Sequence, residues 1–511
     1  MSGLYQKIVN KKLLISCLSI SNLIFINSWM RINAFNINNY YPLDGYDLNI
    51  ILTTLFAFLI FFLTNYFIIS YLKIKSSLFF STYLSLLLIL ALNSMRSSLN
   101  FSFMSLKNIY TLIFFIIIII TLISIIIKKK NLINKFFVTL GLLTCPFFII
   151  IIIKIIFNVS LLSPISYKNI YKPIINKKNY VYSTAIDKTK IVWIIFDQLD
   201  SRYFEKEALE KYNLNNFSEI MSNSDYYKKY TPITDETTKE IPSILSGKNF
   251  SKYKYAIKEK KIRIKYNDND NDNYTFWDNN KTIFKTLKKN NLNIYINGWY
   301  HPYCTLFEEY YYKCFHTLYG YFTTLKFRGF VKSFLFQFIS IFPGYEFLIE
   351  KFKINKLAIF TQKGSEFLEA KTNFSNSSSD FLNTLKENKL DFYFLHSSVP
   401  HEPFIYNSNK KKLINNYYTE KSSYINNLKL VDKFLGEVIK TLKKNNIFES
   451  SVIIAQGDTG IGKDYINSTL EDRIGSTPLL IKKSFQNVEN IIQDKLFSND
   501  LSKKINEILF K

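Results

Sequence analysis

Hydrophobic positions along this chain follow two regimes that change near residue 160. Up to Phe157, Ile, Leu and Phe run in blocks long enough to cross a bilayer, separated by short polar breaks. Five such blocks can be drawn: Leu13–Met30, Leu48–Leu72, Ser77–Asn93, Ile109–Ile127 and Phe136–Phe157. Beyond Lys168 the apolar runs shorten to strand length. Ile191–Phe196 reads as a strand buried on both faces of a parallel sheet, and Leu292–Gly298, Leu390–Leu395, Ser451–Ala455 and Pro478–Ile481 read similarly. Helical periodicities at Thr282–Lys289, Phe381–Lys386 and Tyr424–Lys444 lie between them. Alternating strands and helices predict an α/β domain with a mainly parallel central sheet flanked by helices, preceded by an α-helical membrane domain. The expected division is 1–160 for five spans, 161–190 for a linker, 191–490 for the α/β domain and 491–511 for a helical tail.

Charge gives the membrane half a direction. Lys7, Lys11 and Lys12, then Lys73 and Lys75, then Lys128, Lys129, Lys130 and Lys135 fall in alternate loops. The intervening loops are poorer in positive charge, so the N-terminus is expected to be cytoplasmic. Five spans then place the α/β domain on the periplasmic or extracellular side of a bacterial-type inner (plasma) membrane. The net charge of +25 would elsewhere suggest nucleic acid. On an outer face it reads instead as a general Lys and Asn bias, with attraction to anionic lipid surfaces as the remaining partner class. Cys304 and Cys314 sit in the outer domain, where a disulfide can persist, although two thiols fit the sequence too. Phe322–Phe352 is aromatic and basic, and reads either as an interfacial helix or as core. The run with Asp268, Asp270 and Asp272 lacks the central Gly and closing Glu of a calcium loop and reads as a surface excursion.

Chemistry-bearing residues gather just after the apolar runs, where open α/β sheets place their sites. Asp197 follows Ile191–Phe196. Thr237 opens a polar segment leading into a helix that ends at Gly247, and a helix start can stabilise an attached anion. His396-Ser-Ser-Val-Pro-His401-Glu-Pro follows the third run, and Gly457-Asp458-Thr459-Gly460 the fourth.

In this order the residues resemble the sulfatase-like branch of the alkaline phosphatase superfamily, including its membrane-anchored phosphoethanolamine and phosphoglycerol transferases. The segments Gly298-Trp-Tyr-His-Pro-Tyr-Cys304 and Tyr424–Leu442 are similar to the same members. The resemblance implies one divalent metal (zinc, manganese, magnesium or calcium) held by Asp197, Thr237, Asp458 and Thr459. It also implies a nucleophile at Thr237, and His401 with His396 as proton donors or anion ligands. The expected reaction moves a phospho-substituent from a lipid-type donor to an envelope glycan or lipid. Thr459 stands where the family has a metal-binding His, so a catalytically impaired domain that binds an envelope component is the alternative. Sulfuric ester hydrolysis is a further one, disfavoured because Thr237-Thr-Lys-Glu240 supplies neither a Cys nor a Ser for conversion to formylglycine.

Overall fold

The structure is a computed structural model. It describes residues 2–33, 48–75, 77–98, 130–162, 174–176, 189–258, 261–267, 273–317, 329–342, 345–354, 356–357, 361–417, 420, 422–461 and 477–510. The chain divides into two compact units, Met1–Pro164 with Tyr321–Ser365, and Ile165–Gly320 with Glu366–Lys511.

The first unit is helical. Among the described residues three helices are long and apolar enough to cross a membrane: Ile51–Leu72, Leu78–Met95 and Asn134–Ile153. Five spans were expected, and the difference has two sources. Ile109–Ile127 lies outside the described residues. Leu13–Met30 is divided between the helices Ser2–Ile24 and Ile26–Asn33, and its stretch of Ser16, Ser19, Ser21 and Asn22 is buried. That makes the first helix a polar-cored packing element. Gly141 is what lets the helix Lys130–Leu162 approach it, since a Cβ there would lie 2.6 Å from the Ser16 Cα. Phe67, Phe79, Leu143 and Ile153 point outward, as a lipid-facing surface requires. The helix Gly329–Ile339 packs on Leu48–Lys75. There the Gln337 carboxamide accepts from Ser28 Oγ at 2.5 Å and donates to Thr54 Oγ1 at 3.1 Å.

Among the described residues the second unit is built on a nine-stranded sheet. In chain order the strands are β1 (Ile174–Asn176), β2 (Ile191–Phe196), β3 (Asp225–Tyr227), β4 (Tyr230–Thr231), β5 (Lys252–Lys258), β6 (Lys261–Asn267), β7 (Thr275–Phe276) and β8 (Ile294–Trp299). There follow β9 (Lys313–Thr317), β10 (Phe392–Ser397), β11 (Tyr406–Asn407), β12 (Lys412–Leu413), β13 (Val452–Gly457), β14 (Leu479–Lys482), β15 (Asn490–Ile492) and β16 (Leu496–Phe497). The large sheet runs β1-β9-β8-β10-β2-β13-β14-β3-β15. Its centre, β9 through β13, is parallel, and β14 is antiparallel to β13. The run 161–190, expected as a linker, thus contributes edge strand β1. The segment from 491, expected as a tail, contributes to β15 before its helix Leu501–Phe510.

Every residue of β2 is buried because helices cover both faces. Val192, Ile194 and Phe196 belong to a core with Phe217, Phe381, Leu435 and Val438. Trp193 meets Phe394 on the opposite face, 5.4 Å between ring centroids, with Phe284 the same distance from Phe394. The parallel register aligns Phe196 with both Ser397 and Gly457. Asp197 and Asp458 therefore leave the sheet at the same level, on adjacent strands.

Candidate active site

The carboxyl ends of β2, β10 and β13 bring Asp197, His396 and Asp458 together. Ligand atoms of the three lie within 4.8 Å of one another, and all three residues are buried. Asp458 Oδ1 accepts from the backbone N–H of Gln198 at 3.1 Å and of Thr459 at 2.6 Å. Its Oδ2 accepts from Thr237 Oγ1 at 3.0 Å. Burial pushes the Asp458 carboxyl above the usual range in spite of these bonds. Gly457 makes the placement possible, because a Cβ there would come within 2.5 Å of the Leu199 carbonyl oxygen.

Thr237 opens the helix Thr237–Ser246, with Glu236 as its cap residue. Its hydroxyl thus sits at the positive end of the helix and beside a carboxylate. Thr238 is turned elsewhere: its hydroxyl donates to the Tyr300 hydroxyl at 3.1 Å. Glu240, one turn on, is fully buried and accepts from the N–H groups of Ile233 and Thr234 at 3.1 and 3.0 Å. It ties down the loop that delivers Thr237. Burial pushes its carboxyl up to about 8.

The four histidines divide into roles. His401 donates its backbone N–H to the Asp197 carbonyl at 3.0 Å, and its Nδ1 lies 2.5 Å from the Glu402 carbonyl. A proton on Nδ1 leaves Nε2 for exchange with a ligand. His396 is fully buried, and burial together with neighbouring His301 holds it well below the ordinary histidine value. It is neutral. Its Nδ1 lies 2.8 Å from the Tyr303 hydroxyl and its Nε2 3.9 Å from Asp458 Oδ2. Donation from Nδ1 to Tyr303 leaves the Nε2 lone pair facing the carboxylates, the arrangement expected of a metal-binding imidazole with its orienting partner. Thr459, expected as a ligand, is buried with its hydroxyl 3.4 Å from Asp458 Oδ1.

Two further histidines were not singled out from sequence. His316 lies in β9, buried. His301 is buried in the site and lowered to about 4 by burial, and its Nε2–H donates to the Thr237 carbonyl at 3.1 Å. It belongs to the Gly298–Cys304 segment, whose three-way role only the structure shows. Tyr300 meets Thr238, His301 meets Thr237 and Tyr303 meets His396. Gly298 is obligatory here, since a Cβ would fall 2.1 Å from the Tyr303 ring. Cys304 is bonded to Cys314 of β9, which pins the end of the segment. Opposite, the helix Tyr424–Lys444 holds two site loops. The Tyr424 hydroxyl donates to the Gln198 carbonyl at 2.8 Å, and the Asn427 carboxamide donates to the Pro400 and His401 carbonyls at 3.3 Å.

The donor set fits a divalent cation. Two carboxylates within 4.8 Å and without exposure are costly unless a positive charge joins them, and a neutral imidazole completes a mixed oxygen and nitrogen set.

Residues 191–467, more than half of the chain, match the model of the type I phosphodiesterase / nucleotide pyrophosphatase family. Among solved structures the chain is similar to Ps i-CgsB in complex with k-i-k-neocarrahexaose, at 14% identity and a TM-score of 0.43, over 63% of this chain and 72% of that one. It is similar to the phosphonate monoester hydrolase SpPMH from Silicibacter pomeroyi at 13% identity and 0.37, over 63% and 73%. The lipoteichoic acid synthase LtaP from Listeria monocytogenes aligns at 14% identity and 0.37, over 67% and 77%. No curated protein matches the chain.

Proposed function

The chain belongs to the type I phosphodiesterase / nucleotide pyrophosphatase family, and from that premise we propose that its α/β domain cleaves phosphodiesters through a covalent intermediate on Thr237. The observation that carries this reading is the Thr237 hydroxyl, 3.0 Å from Asp458 within the buried Asp197–His396–Asp458 group. Asp197, Asp458 and His396 would hold a divalent cation, with Thr237 beside it. The cation supplies positive charge that lowers the pKa of the hydroxyl and neutralises phosphoryl oxygens. An imidazole in the set favours zinc or manganese over calcium or magnesium, and gives back one nitrogen donor where Thr459 replaces the family's histidine.

In the first step Thr237 Oγ attacks phosphorus, its proton leaving along the hydrogen bond to Asp458. The bond from phosphorus to the donor's alcohol oxygen breaks, and protonated His401 gives that oxygen its proton. In the second step an acceptor alcohol, or water, attacks the phosphothreonine and gives its proton to His401. The Thr237 oxygen leaves and regains a proton from Asp458. A lipid-type donor and an envelope glycan or lipid acceptor suit a chain whose described residues include three helices apolar enough to hold it in a membrane. Thr237 is preferred to Thr238 because the latter's hydroxyl is committed to Tyr300.

The test uses the full chain in detergent with manganese or zinc and bis-p-nitrophenyl phosphate. Release of nitrophenol, with the adduct located on Thr237 by mass spectrometry and both lost in Thr237→Ala, is the expected result. Full turnover in Thr237→Ala would refute the assignment. A competing reading, a binding domain without turnover, draws on Thr459; an absence of bound metal by elemental analysis would favour it.

A further inference from the structure

Among the described residues one helix is strongly apolar yet too short to cross a bilayer. It is Gly329–Ile339, which reads Gly-Phe-Val-Lys-Ser-Phe-Leu-Phe-Gln-Phe-Ile and has Lys332 as its single charge. A span needs about 20 residues. The inner face of this helix is built into the helical unit. Ser333, Phe336 and Gln337 are buried, the Phe334 ring lies 5.8 Å from that of Phe56, and Phe338 lies 6.5 Å from Phe25. The Gln337 carboxamide bridges Ser28 and Thr54, a polar link of the kind that joins helices within lipid.

The outer face of the same helix is apolar too. Val331 is 68% exposed, Leu335 48% and Phe330 46%. Along the chain the pattern continues with Phe342, Leu348 and Phe352, all exposed. A helix that is apolar all round belongs in a protein core or in a membrane, and exposure of this size excludes the core. The level at which the helix is held is set by its partners. Thr54 and Phe56 lie three and five residues inside the Ile51 end of the span Ile51–Leu72, about 5 and 8 Å along a helix axis. Helices that lie in the membrane plane sink to a similar depth, roughly 5–10 Å. Lys332, Lys353 and Lys356 are exposed, and long cationic side chains at that depth reach back to the headgroups.

We infer that the helix Gly329–Ile339 is an in-plane membrane anchor, its outer face covered by lipid acyl chains at one boundary of the bilayer. The occupant is lipid because the helix is bonded to a span at a depth where that span is itself surrounded by lipid. A soluble partner would have to enter the bilayer to cover the same face. The chain joins the helical unit for this segment after Gly320 and leaves it at Ser365, so the anchor is inserted within the sequence of the α/β unit. Three chain connections thus tie the α/β unit to the membrane unit, where spans placed only before residue 165 would leave one. This holds whichever reaction the candidate site performs.

The experiment places a nitroxide spin label on single cysteines of the full chain in phosphatidylcholine nanodiscs, in a Cys17→Ala/Cys145→Ala background. Val331→Cys and Leu335→Cys report on the proposed contact. Leu52→Cys, at an exposed position on the span, is the lipid reference, and Lys440→Cys, exposed on the α/β unit, is the water reference. Collisions with oxygen, which concentrates among acyl chains, and with a water-soluble nickel chelate are read by power saturation. Both reporters should match Leu52→Cys, admitting oxygen and losing the nickel collisions seen at Lys440→Cys. Nickel collisions as frequent as at Lys440→Cys would overturn the inference in favour of a solvated face. Exclusion of both reagents would overturn it too, since protein, this chain or a second copy, would then cover the face. Two reporters at exposed positions keep the test decisive if one variant fails to fold, and an unchanged melting temperature of the labelled protein checks folding.

Discussion

Replacing Asp197 by Asn should stabilise the metal-free protein while abolishing its response to metal. Asp197 and Asp458 are buried, with ligand atoms no more than 4.8 Å apart. Two unit charges at that distance repel by about 3 kcal/mol at an effective dielectric constant of about 20. That figure is a ceiling. Asp458, whose carboxyl burial pushes above the usual range, can relieve the repulsion by taking up a proton. Asn keeps the shape of the side chain and removes one of the two charges. At about 2 °C per kcal/mol for a domain of this size, the melting temperature without metal should rise by up to about 6 °C. Wild type, by contrast, should gain about 2.7 kcal/mol when manganese or zinc is present at about 100 times its Kd. The variant should gain almost none of it. The assay is thermal unfolding of the full chain in detergent followed by tryptophan fluorescence, after chelation and after metal addition. A lower melting temperature for metal-free Asp197→Asn, or an undiminished rise with metal, would refute the reasoning that these carboxylates await a cation.

Glu240 gives a pH dependence of definite sign. Its carboxyl is raised from about 4.5 to about 8, so its contribution to stability is complete below pH 4.5 and is lost as pH rises through 8. The loss is about 5 kcal/mol. Glu240→Gln, which keeps an acceptor for the Ile233 and Thr234 amides, should flatten the stability profile between those limits, as measured by urea unfolding of metal-saturated protein. Tyr303→Phe deletes the hydroxyl 2.8 Å from His396 Nδ1 and should weaken metal affinity about 10- to 100-fold, with little change in melting temperature of the metal-free chain; titration by calorimetry decides. Cys304→Ser/Cys314→Ser opens a link of ten residues' separation, which should cost about 3 kcal/mol. Because the link pins the segment bearing Tyr300, His301 and Tyr303, turnover should fall further than stability alone accounts for, and kinetics at a temperature where the variant is folded tests this.

Strands β2, β10 and β13 were legible because they follow or contain continuous apolar runs, as a strand covered on both faces requires, whereas β9, Lys-Cys-Phe-His-Thr, carries no such run. Asp197, His396, His401 and Asp458 were legible for the same reason, as polar residues stranded at the ends of such runs. His301 was not, because it lies in an irregular segment with no periodicity. Its place depends on Gly298 admitting the Tyr303 ring and on Cys304 reaching β9. The first block of the membrane half is divided between two helices, with Ser16, Ser19 and Asn22 buried.

Local pattern determined which segments are helices, strands and apolar blocks, since periodicity and propensity act over a few residues. It also put Thr237 and Thr238 together at the start of a helix, without choosing between them. Only the tertiary structure decided that Phe196, Ser397 and Gly457 share one register level, because strand pairing joins residues some 200 and 260 positions apart. That register sets Asp197 beside Asp458 and leaves His396 facing both. It also decided that Thr237, not Thr238, meets the carboxylate, because the neighbouring hydroxyl is taken up by Tyr300. Sequence names the groups able to do chemistry; their distances come from pairings that no local stretch of chain encodes.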